Sequence, residues 1–105
     1  MKTLTEEILK GDTLGRVFSF AVDDGTGVEV ATDPDTIAIK IYDSAGTLKQ
    51  TLAKSDLTKM ATGQFKMNYN VPSDAASGMW KILVQANITV GNLQNTERFS
   101  FSVIT

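Results

Sequence analysis

The sequence predicts an all-β chain, an antiparallel β-sandwich of about seven strands that forms one domain over residues 1–105. Three observations carry that expectation. Apolar residues recur at every second position in segment after segment, which is the period of a half-buried strand. Turn signals built on Gly, Asp and Pro break these runs at intervals of about 8–12 residues, the spacing of small β-sandwiches. The 105 residues, 42% hydrophobic and 21% charged, suit a single core, since a chain of about 100 residues buries roughly two thirds of its unfolded surface.

Residues 3–10 open the chain with two possible readings. Thr3 and Glu6 have capping-box spacing and Gly11 stands where a helix C-cap would. So short a helix is marginal without support, and everything after it reads as strand, so a first strand is expected. Leu14, Phe18, Phe20 and Val22 then share one phase, interrupted by Arg16, and Asp23-Asp24-Gly25-Thr26-Gly27 turns the chain. Ile37, Ile39 and Ile41 alternate with Ala38, Lys40 and Tyr42. Asp43-Ser44-Ala45-Gly46 has Asp first and Gly fourth, as a type I turn prefers, and Thr47 to Leu52 returns as a short strand. Asp56 to Ala61 is open between loop, short strand and a single helical turn. Phe65, Met67, Tyr69 and Val71 form the next run, stopped by Pro72, which cannot donate to a ladder.

The strongest alternation is Trp80, Ile82, Val84, Ala86, Ile88 and Val90, followed after Gly91-Asn92 by Leu93, Phe99, Phe101 and Val103. A two-residue Gly-Asn link predicts a tight hairpin. Val90 then faces Leu93, Ile88 faces Asn95, Ala86 faces Glu97, Val84 faces Phe99, Ile82 faces Phe101 and Trp80 faces Val103. Parity sends Phe18, Phe20, Phe65, Tyr69, Trp80, Phe99 and Phe101 inward and leaves Tyr42 outward.

Composition narrows the chemistry. Cys and His are absent, and ten Lys and Arg against twelve Asp and Glu give a formal charge of −2. Disulfides, thiolate or imidazole metal sites, Cys or His nucleophiles and a strongly basic face for nucleic acid are excluded. The first ten residues carry two acids where a secretory signal needs an apolar run, and the apolar runs elsewhere fall far short of the roughly 20 residues that span a bilayer. No signal peptide and no membrane contact are expected, and the location expected is intracellular or virion-associated.

Lys10-Gly11-Asp12-Thr13, Asp23-Asp24-Gly25, Ile39-Lys40-Ile41-Tyr42-Asp43-Ser44-Ala45-Gly46, Thr62-Gly63-Gln64-Phe65 and Val71-Pro72-Ser73-Asp74-Ala75-Ala76-Ser77-Gly78-Met79-Trp80 together resemble the immunoglobulin-like β-sandwich of macroglobulin-type and bacterial surface repeats. The likeness runs over nearly the whole chain. It implies a spacer, adhesive unit or structural decoration without catalytic residues, and the single short module is similar to small proteins of phage or archaeal-virus structural genes. Arg16 departs from the pattern, standing where those domains have an apolar residue. The function expected is therefore a non-catalytic structural or protein-interaction module of a virion or other assembly. The alternative is a ligand-binding module for carbohydrate or calcium.

Two sets of residues are candidates for sites. Asp23, Asp24, Asp33 and Asp35, with Glu29 between them, offer oxygen to a hard cation, but they match no EF-hand spacing and serve equally as turn residues, so no metal or other cofactor is expected. Ile88, Val90 and Leu93 are apolar residues near the hairpin tip, where Ile88 faces the polar Asn95 in the expected register and has no apolar partner. They are candidates for contact with another protein chain. Self-association through a sheet edge or through the hairpin over residues 79–104 is the partner mode expected.

Overall fold

Alternating apolar residues need a neighbouring strand and an opposing face, and the chain supplies both. The computed structural model describes residues 6–23, 25–88 and 93–104. Ten strands follow in order: β1 (Glu6–Leu9), β2 (Thr13–Ser19), β3 (Ala21–Asp23), β4 (Glu29–Ala31), β5 (Thr36–Tyr42), β6 (Leu48–Ala53), β7 (Thr58–Ala61), β8 (Gln64–Asn70), β9 (Gly78–Ile88) and β10 (Leu93–Ile104). One 3-10 turn, Lys54–Asp56, separates β6 from β7, and no α-helix occurs among the described residues, so the chain is all-β. No helix there is long and apolar enough to cross a membrane.

The strands form a five-stranded sheet in the order β1-β10-β9-β5-β6, a three-stranded sheet β2-β8-β7 and a small pair β3-β4. Inward rows of both larger sheets share one core, with Leu14, Met67, Ile39, Ile41, Trp80, Ile82 and Phe101 fully buried. Rings meet across the two sheets. Phe18 lies 5.3 Å from Phe99 and Tyr69 lies 6.4 Å from Trp80, both tilted, in the offset geometry that ring quadrupoles favour. Trp80 donates its indole N–H to the Ala76 carbonyl at 2.8 Å, which satisfies the one polar atom of a side chain with no exposure. No polar or charged side chain is buried among the described residues.

The first segment is a strand, as expected, but β1 pairs parallel to β10, with Glu6 opposite Phe101 and Leu9 opposite Ile104. Direction is free there because the chain leaves β1 for the other sheet through Gly11 and Asp12, whose ends are tied by Gly11 N–H to Val71 O and Val71 N–H to Asp12 O. The count exceeds about seven for a simple reason. The single run expected from Leu14 to Val22 divides at Phe20, and β4 and β7 are exposed along their whole length, so they bury no face and leave no alternation to read.

The hairpin register differs from the expected one by two residues. Leu93 pairs with Ile88, Asn95 with Ala86, Glu97 with Val84, Phe99 with Ile82, Phe101 with Trp80 and Val103 with Gly78. Val90, Gly91 and Asn92 lie outside the described residues, as does the turn expected there. A shift of two keeps every side chain on its own face, so burial alone does not distinguish the registers. The observed one sets Phe101 beside Trp80, their centroids 5.8 Å apart.

The turn at Asp43 forms as expected. Its Oδ1 accepts from Ala45 N–H and Thr47 N–H, both at 2.9 Å, and Gly46 N–H donates to Asp43 O at 3.0 Å. At Gly78, with φ at 122°, the bare Cα permits an approach that would set a Cβ 3.0 Å from that of Ser44.

Candidate binding surfaces

The acidic residues do not converge. Asp23 Oδ1 accepts from Gly25 N–H at 2.7 Å and Gly27 N–H at 3.2 Å, which holds the β3–β4 turn. Asp24 lies outside the described residues. Asp33 pairs with Lys59 and accepts from Gly63 N–H at 2.6 Å. The Lys59 hydrogen bond first, and the Gly63 amide second, hold the Asp33 carboxyl below the ordinary carboxylate value. Asp35 is exposed and gives its backbone N–H to Asn87 O at 2.8 Å. Among the described residues no three carboxylates, or other metal-ligating side chains, come together. The oxygen atoms of Asp23 and Asp33 are used to fasten turns.

At the hairpin tip, Ile88 is 4% exposed, and the observed register gives it Leu93 as its strand partner. It stands apart from the main core cluster but is withdrawn from solvent, which corrects the expectation of an unpartnered apolar side chain there. Val90 and the side chain of Leu93 lie outside what is described.

Arg16, the residue out of pattern on β2, is half-buried, and its guanidinium lies 4.3 Å from the centroid of the Phe99 ring. Phe99, itself only partly buried, thus meets both the Phe18 ring and a cation from β2. A guanidinium over a ring at this distance is attracted by the quadrupole, and the arginine stem covers apolar surface on the way. Arg16 therefore closes the margin of the core.

The outward face of the five-stranded sheet holds a feature that sequence reasoning did not single out. An open depression of about 400 Å³ is lined by Tyr42 from β5, Lys81 and Leu83 from β9, and Arg98 and Ser100 from β10. Ile82 and Phe99, from the inward rows, complete its floor. The pairing explains the assembly. Tyr42 stands opposite Lys81 and Lys81 opposite Ser100, while Lys40 stands opposite Leu83 and Leu83 opposite Arg98. Parity already put Tyr42 outward, and it gives the same side to Lys40, Lys81, Leu83, Arg98 and Ser100. What the sequence lacked was the β5–β9 pairing that makes them neighbours.

Both larger sheets also have open edges: β1 and β6 bound the five-stranded sheet, and β2 and β7 bound the three-stranded one. Comparison with known protein families, curated proteins and solved structures gives no match.

Proposed function

We propose that the chain is a non-catalytic structural or protein-interaction module that works through the outside of its sheets, as a component of a larger assembly such as a phage or virus particle. The observation that carries this reading is the division of the molecule into an apolar, ring-filled interior and an outward sheet face with an open depression lined by Tyr42, Lys81, Leu83, Arg98 and Ser100. Of the polar residues that the sequence singled out, Asp23 and Asp33 are engaged in turns and Arg16 lies over a ring.

The immunoglobulin-like reading belongs to the same proposal and has support from strand order. In that plan the second, fifth and fourth strands share one sheet, while the third, sixth and seventh share the other, with an added strand after the third in the variable type. With the β3–β4 pair set aside as an insertion, β2-β8-β7 and β10-β9-β5-β6 follow this order. The first strand departs from it by lying beside β10.

Sedimentation of particles from cells that produce the chain tests the assembly role. The expected result is recovery of the chain in the particle band at a fixed ratio to the major component; recovery only at the top of the gradient overturns it. The second reading, a carbohydrate- or calcium-binding module, has the half-buried Tyr42 ring at the depression in its favour. A native-state ligand raises the melting temperature by mass action. Calcium is expected to leave it unchanged, because the carboxylates of Asp23 and Asp33 already serve backbone amides; a rise with calcium or with an oligosaccharide favours this second reading.

A further inference from the structure

We propose that the outward face of the five-stranded sheet is a docking basin for an acidic peptide segment of a partner protein, with Lys40, Lys81 and Arg98 receiving its carboxylates and Leu83 and Tyr42 its apolar contact. This deepens, and rests on, the reading of the chain as an interaction module.

The register places the residues on a small grid. One row runs Lys40, Leu83, Arg98 and the next runs Tyr42, Lys81, Ser100. Adjacent strands lie about 4.8 Å apart and same-face neighbours along a strand about 6.7 Å apart. Lys40 and Arg98 therefore rise from backbone about 10 Å apart on either side of Leu83, with Lys81 in the adjoining row.

The charge is one-sided. β5 and β9 contain no acidic residue, and the only acid of β10 is Glu97, whose position opposite Val84 has inward parity. Among the described residues none of Lys40, Lys81 and Arg98 takes part in an ion pair. On a chain with a formal charge of −2, the acid that register places on this face is Glu7 of β1, opposite Ser102 and one row beyond Ser100 and Lys81, so the row of Lys40, Leu83 and Arg98 has no acid in it.

The arrangement selects the partner's chemistry. Three cations neutralise too few phosphates for useful affinity to nucleic acid, which grows with each counterion released. A single small anion needs donors converging on one point, whereas these flank Leu83, whose side chain gains only by apolar cover. An extended peptide fits both demands, since its carboxylates can reach outward to the cations while an apolar residue covers Leu83 and Tyr42. Arg98 can bind a carboxylate through two parallel N–H groups.

The test uses the full chain with nitrogen-15 label and a capped peptide in which glutamates flank a central leucine. The expected result is saturable amide shifts at Lys40, Tyr42, Lys81, Leu83 and Arg98, weakened by salt and absent with the glutamine counterpart. Lys81→Glu and Arg98→Glu should each weaken binding about five- to tenfold, since reversal turns attraction into repulsion. Lys66→Glu, on the other sheet, should leave it unchanged. No shifts at these residues, equal binding of the glutamine peptide, or indifference to both reversals overturns the proposal. Stronger shifts at the same residues with inorganic phosphate alone, or with single-stranded oligonucleotide, also overturn it by naming another ligand. If the peptide binds but the chain is not recovered with particles, the particle role fails and the docking proposal stands; particle recovery with no peptide binding has the opposite meaning.

Discussion

Among the described glycines, Gly63 has the most constrained backbone position. It is buried, with φ at 74°, and a Cβ there would lie 2.5 Å from Phe20 O and 2.9 Å from Thr32 N. Phe20 N–H donates to its carbonyl at 2.7 Å and its own N–H donates to Asp33, so the β7–β8 turn is tied to the neighbouring pair β3–β4. Gly63→Ala should cost at least about 2 kcal/mol in urea unfolding, from positive φ and from backbone atoms that cannot yield. Asp33 belongs to the same knot. Its depressed carboxyl contributes stability that is present above the ordinary carboxylate value and lost as pH falls through the folded-state value. Acid unfolding of Asp33→Asn should therefore show a shallower loss of stability at low pH than the parent. For Ile88, burial rather than partner contact is the expected role. Ile88→Asp places an uncompensated charge at a 4% exposed position and should lower stability by about 3 kcal/mol or more, read by the same denaturation; a fully stable variant with altered mass would return Ile88 to the list of contact residues.

At the level of elements, legibility follows burial. β5, β8 and β9 show in the sequence because their inward residues repeat every second position: Ile37, Ile39 and Ile41; Phe65, Met67 and Tyr69; Trp80 through Ile88. β4 and β7 are exposed throughout and carry no such mark. The β5–β6 turn was legible because its chemistry is local: Asp43 needs only the amides two and four residues on. Asp43→Ala removes both bonds and should destabilise by about 1–2 kcal/mol, measured by thermal unfolding. The β9–β10 register was not legible. The expected two-residue link and the observed pairing of Ile88 with Leu93 preserve the same inward face, so no polar residue is buried by either. The difference lies in cross-strand neighbours such as Trp80 and Phe101, and those depend on packing between sheets.

Over the whole molecule, stability and docking are separable. The core is built from the inward rows of the two larger sheets, and the proposed basin lies on the outward face of one of them. Lys81→Glu and Arg98→Glu are therefore expected to change unfolding free energy by less than about 0.5 kcal/mol while weakening peptide binding. The phenol of Tyr69, raised above its ordinary value by burial in the core, contributes stability that is full below the ordinary tyrosine value and lost as pH rises through the folded-state value. Tyr69→Phe should remove that alkaline loss. By itself the sequence determined the β class, the inward row of each long strand and the turn at Asp43, because parity and short-range hydrogen bonds are properties of neighbouring residues. Only the tertiary structure decided that β1 runs parallel to β10, that Gly63 binds two turns together, and that Lys40, Lys81 and Arg98 share a face. These depend on which distant strands meet, and strand pairing is settled by the packing of the whole core.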